Sequence, residues 1–339
     1  MGNRSGARRG YIMDAETRTI GVLTSGGDSP GMNAAIRAVV RRGLYKGFKV
    51  KGIYRGYLGL LNEEIADMDE HSVSDILQAG GTVLETERCN EMLLDDYQQK
   101  AVDICRKHGI DALIVIGGDG SFKGAQRLAE KGLNVIGIPG TIDLDIACTD
   151  YTIGFDTAVN TAMRATDNIR DTASAHEKCS MIEVMGRRAG YIALWCGLAG
   201  GAEQALIPEK DDGNEEVIMS RIAEHRARGK NNNIIINAEG VGDTVEMAKK
   251  IEEIGGIRVR TTVLSYIQRG GSPTCRDRVY ASVMGAKAVD LIAEGKKNRI
   301  VAYKNDRFVD FDIDEALAME KDIHDTEEYI YEIMESLSL

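Results

Sequence analysis

The chain has 339 residues, 43% apolar and 28% charged, which is typical of a globular protein with a sizeable core. Its formal net charge of −11 argues against a nucleic-acid partner, since binding nucleic acid requires a basic surface. No apolar run reaches the roughly 18 residues of a membrane span, so no membrane partner is expected. The six cysteines lack CxxC spacing and indicate reduced thiols, hence a cytoplasmic protein.

After a flexible N-terminal arm predicted for residues 1–18, short apolar runs alternate with helical patterns. Runs bounded by Gly or Asp and too short for helices are typical of buried parallel strands, and they lie at 20–24, 112–116, 135–138 and 234–236. Apolar stripes at the helical period lie within 97–108 and 155–166. This alternation predicts a doubly wound α/β fold.

Three loops that follow predicted strands are suited to phosphate, namely 24–33, 117–121 and 139–145. Their glycines let backbone N–H groups approach an anion near a helix N-terminus. Asp119 lies among the glycines of the second loop, where a Mg²⁺ ligand would neutralise phosphate oxygens. Asp143 and Asp145 in the third loop suit one base and one carboxylate near the metal. No loop matches the Walker or GxGxxG pattern.

Arginines on later loops supply the positive charge that a phosphorylated substrate needs. Two arginines beside glycines favour bidentate phosphate binding, namely Arg187 and Arg269. By contrast, Arg276 and Arg278 are better interpreted as surface residues. The residues alone therefore predict a Mg²⁺-dependent phosphoryl transferase that acts on a small phosphorylated substrate.

Six motifs occur in an order that resembles the ATP-dependent 6-phosphofructokinases of the bacterial type: TSGGDSPGMNAAIR, GGDGS, GTIDxD, TDYTIGFDTA, EVMGR and IQRGGSP. The resemblance covers residues 19–309. It implies two doubly wound α/β domains with the active site in the cleft between them. The expected units are a nucleotide- and Mg²⁺-binding domain at 19–153, a mainly sugar-phosphate-binding domain at 154–309, and a helical segment at 310–339 that packs back on the N-terminal domain.

The resemblance also implies the ligands and the residues that bind them. ATP would contact Gly27, Arg88, Cys89, Gly118, Asp119, Gly120 and Ser121. Mg²⁺ would be held by Asp119 and Asp145. The catalytic set would be Asp143 as the base, with Thr141, Arg187 and Arg88. Fructose 6-phosphate would contact Thr141, Asp143, Lys178, Met185, Gly186, Arg187, Glu239, Arg260, Tyr266 and Arg269. Arg260 would come from a neighbouring subunit of a homotetramer.

Some positions depart from the family pattern. Leu144 replaces an Asn between the two acids, Tyr266 a His and Lys178 an Arg, while 85–87 adds two negative charges near the nucleotide. For Leu144 two interpretations stay open. Either it packs under the loop while both acids still point into the site, or the lost amide changes how Asp143 is held.

An effector phosphate is expected between subunits, as in bacterial-type relatives, at Arg37, Arg41, Arg170 and Glu203. A fourth family arginine is replaced by Glu70, which predicts weak control by phosphorylated effectors.

Two other functions remain as alternatives. One is a kinase of the same fold that uses pyrophosphate or another sugar phosphate, and the other is a catalytically weak regulatory paralogue. Pyrophosphate-using relatives typically carry Asp at position 120 and Lys at position 140. Both are Gly here, which favours ATP as the donor.

Overall fold

The computed structural model describes residues 18–174, 179–210, 215–229, 233–321 and 325–337. The predicted N-terminal arm, apart from Arg18, and the predicted sugar-phosphate ligand Lys178 lie outside the described residues. Within the described residues, strands and helices mostly alternate, as the sequence predicts.

The described strands, in chain order, are β1 (Thr19–Ser25), β2 (Lys49–Ile53), β3 (Ile65–Met68), β4 (Ile110–Gly117), β5 (Asn134–Thr141), β6 (Ile153–Gly154), β7 (Cys179–Val184), β8 (Gln204–Leu206), β9 (Asn233–Ala238), β10 (Val259–Val263), β11 (Arg299–Lys304) and β12 (Arg307–Asp312). The described helices are α1 (Met32–Tyr45), α2 (Gly56–Leu61), α3 (Asp95–Lys107), α4 (Asp119–Glu130), α5 (Phe155–Ser174), α6 (Tyr191–Ala199), α7 (Glu215–Ala227), α8 (Thr244–Gly255), α9 (Cys275–Ala293), α10 (Ile313–Ala318) and α11 (Asp325–Leu337). A 3₁₀ helix at Ser265–Arg269 precedes α9.

These strands form two sheets. The first has the order β12-β11-β5-β4-β1-β2-β3, with β6 beside the end of β5, and the second has the order β10-β7-β9-β8. In the first sheet β1, β4 and β5 run parallel, and Ser25, Gly117 and Pro139 lie in register at their carboxyl ends. The three glycine- and aspartate-containing loops therefore begin side by side at one edge, where ligands bind in this architecture.

Helices cover both faces of each sheet. On β4, Ile114 and Ile116 face the core shared with α1 and α9, whereas Leu113 and Val115 face α2, α3, α4 and α10. The second sheet packs against α5, α6 and α11 on one face and against α7 and α8 on the other. The doubly wound α/β class is confirmed. No helix in the described part of the chain is long and apolar enough to cross a membrane.

The chain returns to the first sheet after it has built the second. Helix α9 packs on α1 so closely that a Cβ on Gly285 would lie 2.6 Å from the carbonyl oxygen of Ala35. Strand β11 then pairs with β5, α10 packs against α4, and α11 contacts α6 beside the second sheet. The boundaries expected at 153/154 and 309/310 stay predictions.

A buried carboxylate holds the start of α9 in place where the chain returns to the first sheet. Asp277, near the start of α9, accepts hydrogen bonds from the Tyr151 hydroxyl at 2.6 Å, from Gly154 N at 2.7 Å and from Thr157 N at 2.9 Å. Burial raises the pKa of Asp277, and these donors oppose the rise. The first turn of α9 is thereby tied to the junction of β6 and α5.

Candidate active site

The first two glycine loops contact each other. The Ser121 hydroxyl, in the first turn of α4, donates a hydrogen bond to the carbonyl oxygen of Ser25 at 3.0 Å. A Cβ on Gly117 would lie 2.5 Å from both of these oxygens, so only glycine fits there. The loop that contains Gly27 and the loop that contains Gly118 thus lie together, at the N-termini of α1 and α4.

The segment that contains Arg88 and Cys89 packs beside the first loop. The Thr86 hydroxyl donates a hydrogen bond to the carbonyl oxygen of Gly26 at 2.7 Å. Cys89 is half-buried, and burial raises the pKa of its thiol, whereas Arg88 is exposed. Burial also raises the pKa of Tyr57, with Cys89 adding to the rise, so these two side chains are close. The predicted nucleotide residues are therefore neighbours in space.

The surroundings of Gly120 and Gly140 differ. A Cβ on Gly120 would meet no heavy atom within 4 Å, so the N-terminus of α4 opens into free space. A Cβ on Gly140 would lie 3.1 Å from Ile116 Cγ2 and 3.2 Å from Met32 Cε, within the core. Position 140 therefore leaves little room for a larger side chain.

Asp143 is a buried carboxylate with an oxygen that is not hydrogen-bonded. Its N–H donates to the Thr141 hydroxyl at 3.2 Å, and its side chain is nearly enclosed, with the residue 7% exposed. Its Oδ1 has no hydrogen-bond partner among the described residues. Burial raises the pKa of Asp143 to about 6, Asp145 adds to the rise, and Arg269 opposes it. A carboxylate that titrates near neutral pH is suited to general-base catalysis.

Asp145 and Asp119 form a pair of carboxylates from neighbouring loops. Burial raises the pKa of Asp145, Arg187 and Lys321 oppose the rise, and Asp119 adds to it. Asp119 is paired with Lys123 at 2.7 Å and is partly exposed. No cluster of three acidic, His or Cys side chains suited to a metal occurs within the described residues. Two carboxylates fit Mg²⁺, which takes its other ligands from water and phosphate.

Leu144, between the two acids, has a left-handed backbone. Its φ is +56°, a conformation that costs a non-glycine residue roughly 1–2 kcal/mol. The side chain is buried in the core of the second sheet, as one of the two interpretations expects. The Lys321 ammonium donates a hydrogen bond to the Leu144 carbonyl oxygen, and burial lowers the pKa of Lys321 to about 8. Lys321 was missed from the sequence, since no motif marks it.

The residues predicted for the sugar phosphate on the second sheet also lie together. Gly186 N and Arg187 N donate to Glu239 Oε1 at 3.2 and 2.7 Å, and Met185 N donates to Gln268 Oε1 at 2.8 Å. Arg187 has a φ of +59°, and its side chain is exposed. Glu239 and Gln268 thereby fix the loop that presents Arg187 towards Asp145. Gln268, which is buried, was also missed from the sequence.

Arg269 connects the two sheets. A Cβ on Gly27 would lie 2.5 Å from its Nη1, so the guanidinium covers the first glycine loop. Its effect on the pKa of Asp143 places it beside the third loop as well. The site is thus a cleft between the ends of β1, β4 and β5 and the loops of the second sheet.

Two other residues predicted for the sugar phosphate are exposed in the single chain. Tyr266 is 78% exposed, and Arg260 is exposed on the edge strand β10. The predicted effector residues lie beside different sheets. Arg170 lies 3.8 Å from Glu203 beside the second sheet, and the other two are on α1, namely Arg37 and Arg41.

Comparison with known proteins identifies the family. The phosphofructokinase family matches residues 19–292. A protein of Clostridium botulinum strain Hall named ATP-dependent 6-phosphofructokinase is 56% identical over 321 residues, which are 95% of this chain and 99% of the relative. A protein of Clostridium acetobutylicum with the same name is 55% identical over 322 residues, again 95% of this chain and 99% of the relative.

Solved structures share the fold. Pichia pastoris phosphofructokinase in the T-state has a TM-score of 0.84 and is 36% identical, over 98% of this chain but only 40% of the Pichia chain. A pyrophosphate-dependent phosphofructokinase from Marinobacter aquaeolei has a TM-score of 0.79 at 21% identity, over 94% of this chain and 91% of that one, which supports the fold alone. By its sequence and its architecture, the chain belongs to the phosphofructokinase family.

Proposed function

We propose that this chain is an ATP-dependent 6-phosphofructokinase, which transfers the terminal phosphoryl group of ATP to the 1-hydroxyl of fructose 6-phosphate in glycolysis. The products are ADP and fructose 1,6-bisphosphate. The observation that carries the proposal is the position of Asp143, a buried carboxylate with an uncommitted oxygen beside Asp145 and Arg269. Curated relatives that match nearly the whole chain bear this activity as their name.

Asp143 acts as the general base. It accepts the proton of the sugar 1-hydroxyl, whose oxygen then bonds to the γ-phosphorus as the bond to ADP breaks. The Thr141 hydroxyl accepts a hydrogen bond from the backbone N–H of Asp143 and so orients the loop. Arg187 and Arg88 stabilise the charge that spreads over the transferred phosphoryl oxygens.

The nucleotide binds at the edge where β1 and β4 end. Its phosphates approach the N-terminus of α4, where free backbone N–H groups and the helix dipole favour an anion. The residues proposed to contact it are Gly27, Arg88, Cys89, Gly118, Asp119, Gly120 and Ser121. Mg²⁺, held by Asp119 and Asp145, would neutralise phosphate charge there.

The sugar phosphate binds the loops of the second sheet. We assign its contacts to Thr141, Asp143, Lys178, Met185, Gly186, Arg187, Glu239, Tyr266 and Arg269, with Arg260 from a neighbouring subunit. The exposure of Arg260 and Tyr266 in the single chain supports a site shared between subunits, and we propose a homotetramer. We place the enzyme in the cytoplasm, where its six free thiols stay reduced.

A coupled assay tests this function. Purified enzyme receives fructose 6-phosphate and Mg²⁺ with either ATP or pyrophosphate, and aldolase reports fructose 1,6-bisphosphate. We expect product with ATP and little with pyrophosphate. Equal rates with both donors would contradict the ATP assignment, and no product with either donor would favour a regulatory paralogue.

A further inference from the structure

A lysine from the C-terminal part of the chain contacts the loop that carries both acids. Lys321 follows α10 and lies 177 residues beyond Leu144, to whose carbonyl oxygen it donates a hydrogen bond. Its ammonium also lies 4.8 Å from the centre of the Tyr191 ring, at the start of α6. The ammonium is therefore held between the third loop and the start of α6.

The carbonyl that Lys321 binds belongs to the residue whose backbone sets the direction of both acids. Leu144 has a left-handed backbone, which a leucine seldom adopts. If Leu144 took a right-handed or extended conformation, its carbonyl would turn away from Lys321 and Asp145 would point in a new direction relative to Asp143. Such a conformation persists only where neighbouring groups hold it.

The surroundings of the left-handed residue supply two such restraints. The Leu144 side chain is buried in the core of the second sheet, which holds one side of the residue. The hydrogen bond from Lys321 holds the carbonyl. Leu lacks the local side-chain hydrogen bonds that help Asn adopt this conformation. The hydrogen bond from Lys321 therefore contributes more to holding the left-handed backbone in this chain.

We propose that Lys321 is a positioning residue for phosphoryl transfer, whose ammonium fixes the Leu144 carbonyl so that Asp143 and Asp145 face the same cleft. The inference rests on the proposed function, in which Asp143 is the base. Lys321 acts through the loop and does not contact the substrate. Its removal should therefore lower kcat while the KM values for ATP and fructose 6-phosphate change little.

The first experiment compares Lys321→Met, Lys321→Arg and a matched control, Lys210→Met. Lys210 also lies over a tyrosine ring, at 5.6 Å from Tyr331, and pairs with Glu328 on α11, so it tests the loss of a lysine that anchors the C-terminal segment. We expect Lys321→Met to lower kcat by about tenfold to a hundredfold, the range for small misplacement of reacting groups. Both KM values should stay within about threefold.

The conservative and control variants separate positioning from anchoring. Lys321→Arg keeps a cationic donor and should recover part of the lost kcat. Lys210→Met should leave kcat unchanged. A Lys321→Met enzyme with wild-type kcat, or one that loses only thermal stability, would overturn the proposal. If Lys321→Met does not fold, Lys321→Gln takes its place; its amide donor is shorter and uncharged, so kcat should still fall by at least about threefold. Wild-type kcat in Lys321→Gln would then overturn the proposal.

A double-mutant cycle tests the route through Leu144. Asn adopts left-handed backbone more readily than Leu, so Lys321→Met should cost at least about threefold less kcat in a Leu144→Asn background. Equal costs in both backgrounds would overturn the proposal. Asp143→Ala tests the base separately. If Asp143→Ala loses activity while Lys321→Met does not, the proposed function stands and only the role of Lys321 fails.

Discussion

Arg269 holds the pKa of Asp143 below the value that burial and Asp145 would give it, and that pKa stands at about 6. The two residues follow strands of different sheets. Asp143 lies in the loop after β5 of the first sheet, and Arg269 ends the 3₁₀ helix that follows β10 of the second sheet. Arg269 Nη1 also donates a hydrogen bond to the Asp28 carbonyl oxygen at 3.0 Å. An arginine proposed to bind the sugar phosphate thus also favours the ionised form of the proposed base.

The pH dependence of kcat/KM for fructose 6-phosphate should reflect this coupling. A general base must be ionised, so activity should fall as the pH decreases through about 6. Arg269→Met removes the cation that favours the ionised carboxylate, so the pKa of Asp143 should rise. The acid limb of the profile should therefore move to higher pH, in addition to any loss in absolute rate.

The shift between the two enzymes is the informative quantity. The sugar phosphate itself titrates near pH 6, but its ionisation is common to both enzymes. Arg278→Met is the control. Arg278 donates hydrogen bonds to the Pro273 carbonyl oxygen and the Ser272 hydroxyl and takes no part in the proposed site. Coincident acid limbs for wild type and Arg269→Met would show that Arg269 does not govern the base.

Removal of the proposed base should abolish most of the activity. Asp143→Ala should lower kcat by about 10²–10⁴-fold, the usual loss for a general base. Thr141→Ala should cost less, because it removes the acceptor for the Asp143 N–H and a proposed substrate contact but leaves the base in place. The assay is the aldolase-coupled reaction with ATP. Retention of more than about a tenth of wild-type kcat by Asp143→Ala would reject the assignment.

A carboxylate at position 120 should impair the use of ATP. The space beside Gly120 is open, so Gly120→Asp fits sterically and places negative charge where the phosphates should pass. At about 5 Å and an effective dielectric near 20, two unit charges repel by roughly 3 kcal/mol. We expect kcat/KM for ATP to fall at least about tenfold. Gly120→Asn, which adds a similar volume without charge, should lose markedly less.

Replacement of Leu144 by the usual family residue should have a modest effect on catalysis. Leu144 is buried and both neighbouring acids are retained, so Leu144→Asn should change kcat by less than about tenfold, or 1.4 kcal/mol of barrier. Steady-state kinetics with ATP measure this. A gain of tenfold or more would favour the other interpretation, in which the missing amide weakens the hold on Asp143.

Control by phosphorylated effectors should be weak. Glu70 is exposed and replaces an arginine of the expected effector set, so a phosphate beside it would meet a like charge. We expect near-hyperbolic kinetics in fructose 6-phosphate and little inhibition by phosphoenolpyruvate. Glu70→Arg should restore sensitivity. Strong inhibition of the wild type below about 1 mM phosphoenolpyruvate, with a sigmoidal sugar curve, would contradict this.

The sequence predicted the local parts of the site better than the contacts across it. The loops after β1, β4 and β5 were found because short apolar strands followed by Gly and Asp are local patterns. Lys321 and Gln268 were not, because each contacts a backbone atom far away in the chain; Lys321 and Leu144, for example, are 177 positions apart. Strands β11 and β12 were also missed, since their place in the first sheet depends on pairing with distant β5.

The pairing of β11 with β5 has a consequence for how the protein is made. The four strands described in the second sheet lie between residues 179 and 263, whereas β11 and β12, at one edge of the first sheet, span residues 299–312. During synthesis the first sheet therefore stays open at β5 while the whole second sheet leaves the ribosome. Because α9 also arrives late, one face of α1 is exposed over the same interval, when the nascent chain most needs protection from aggregation.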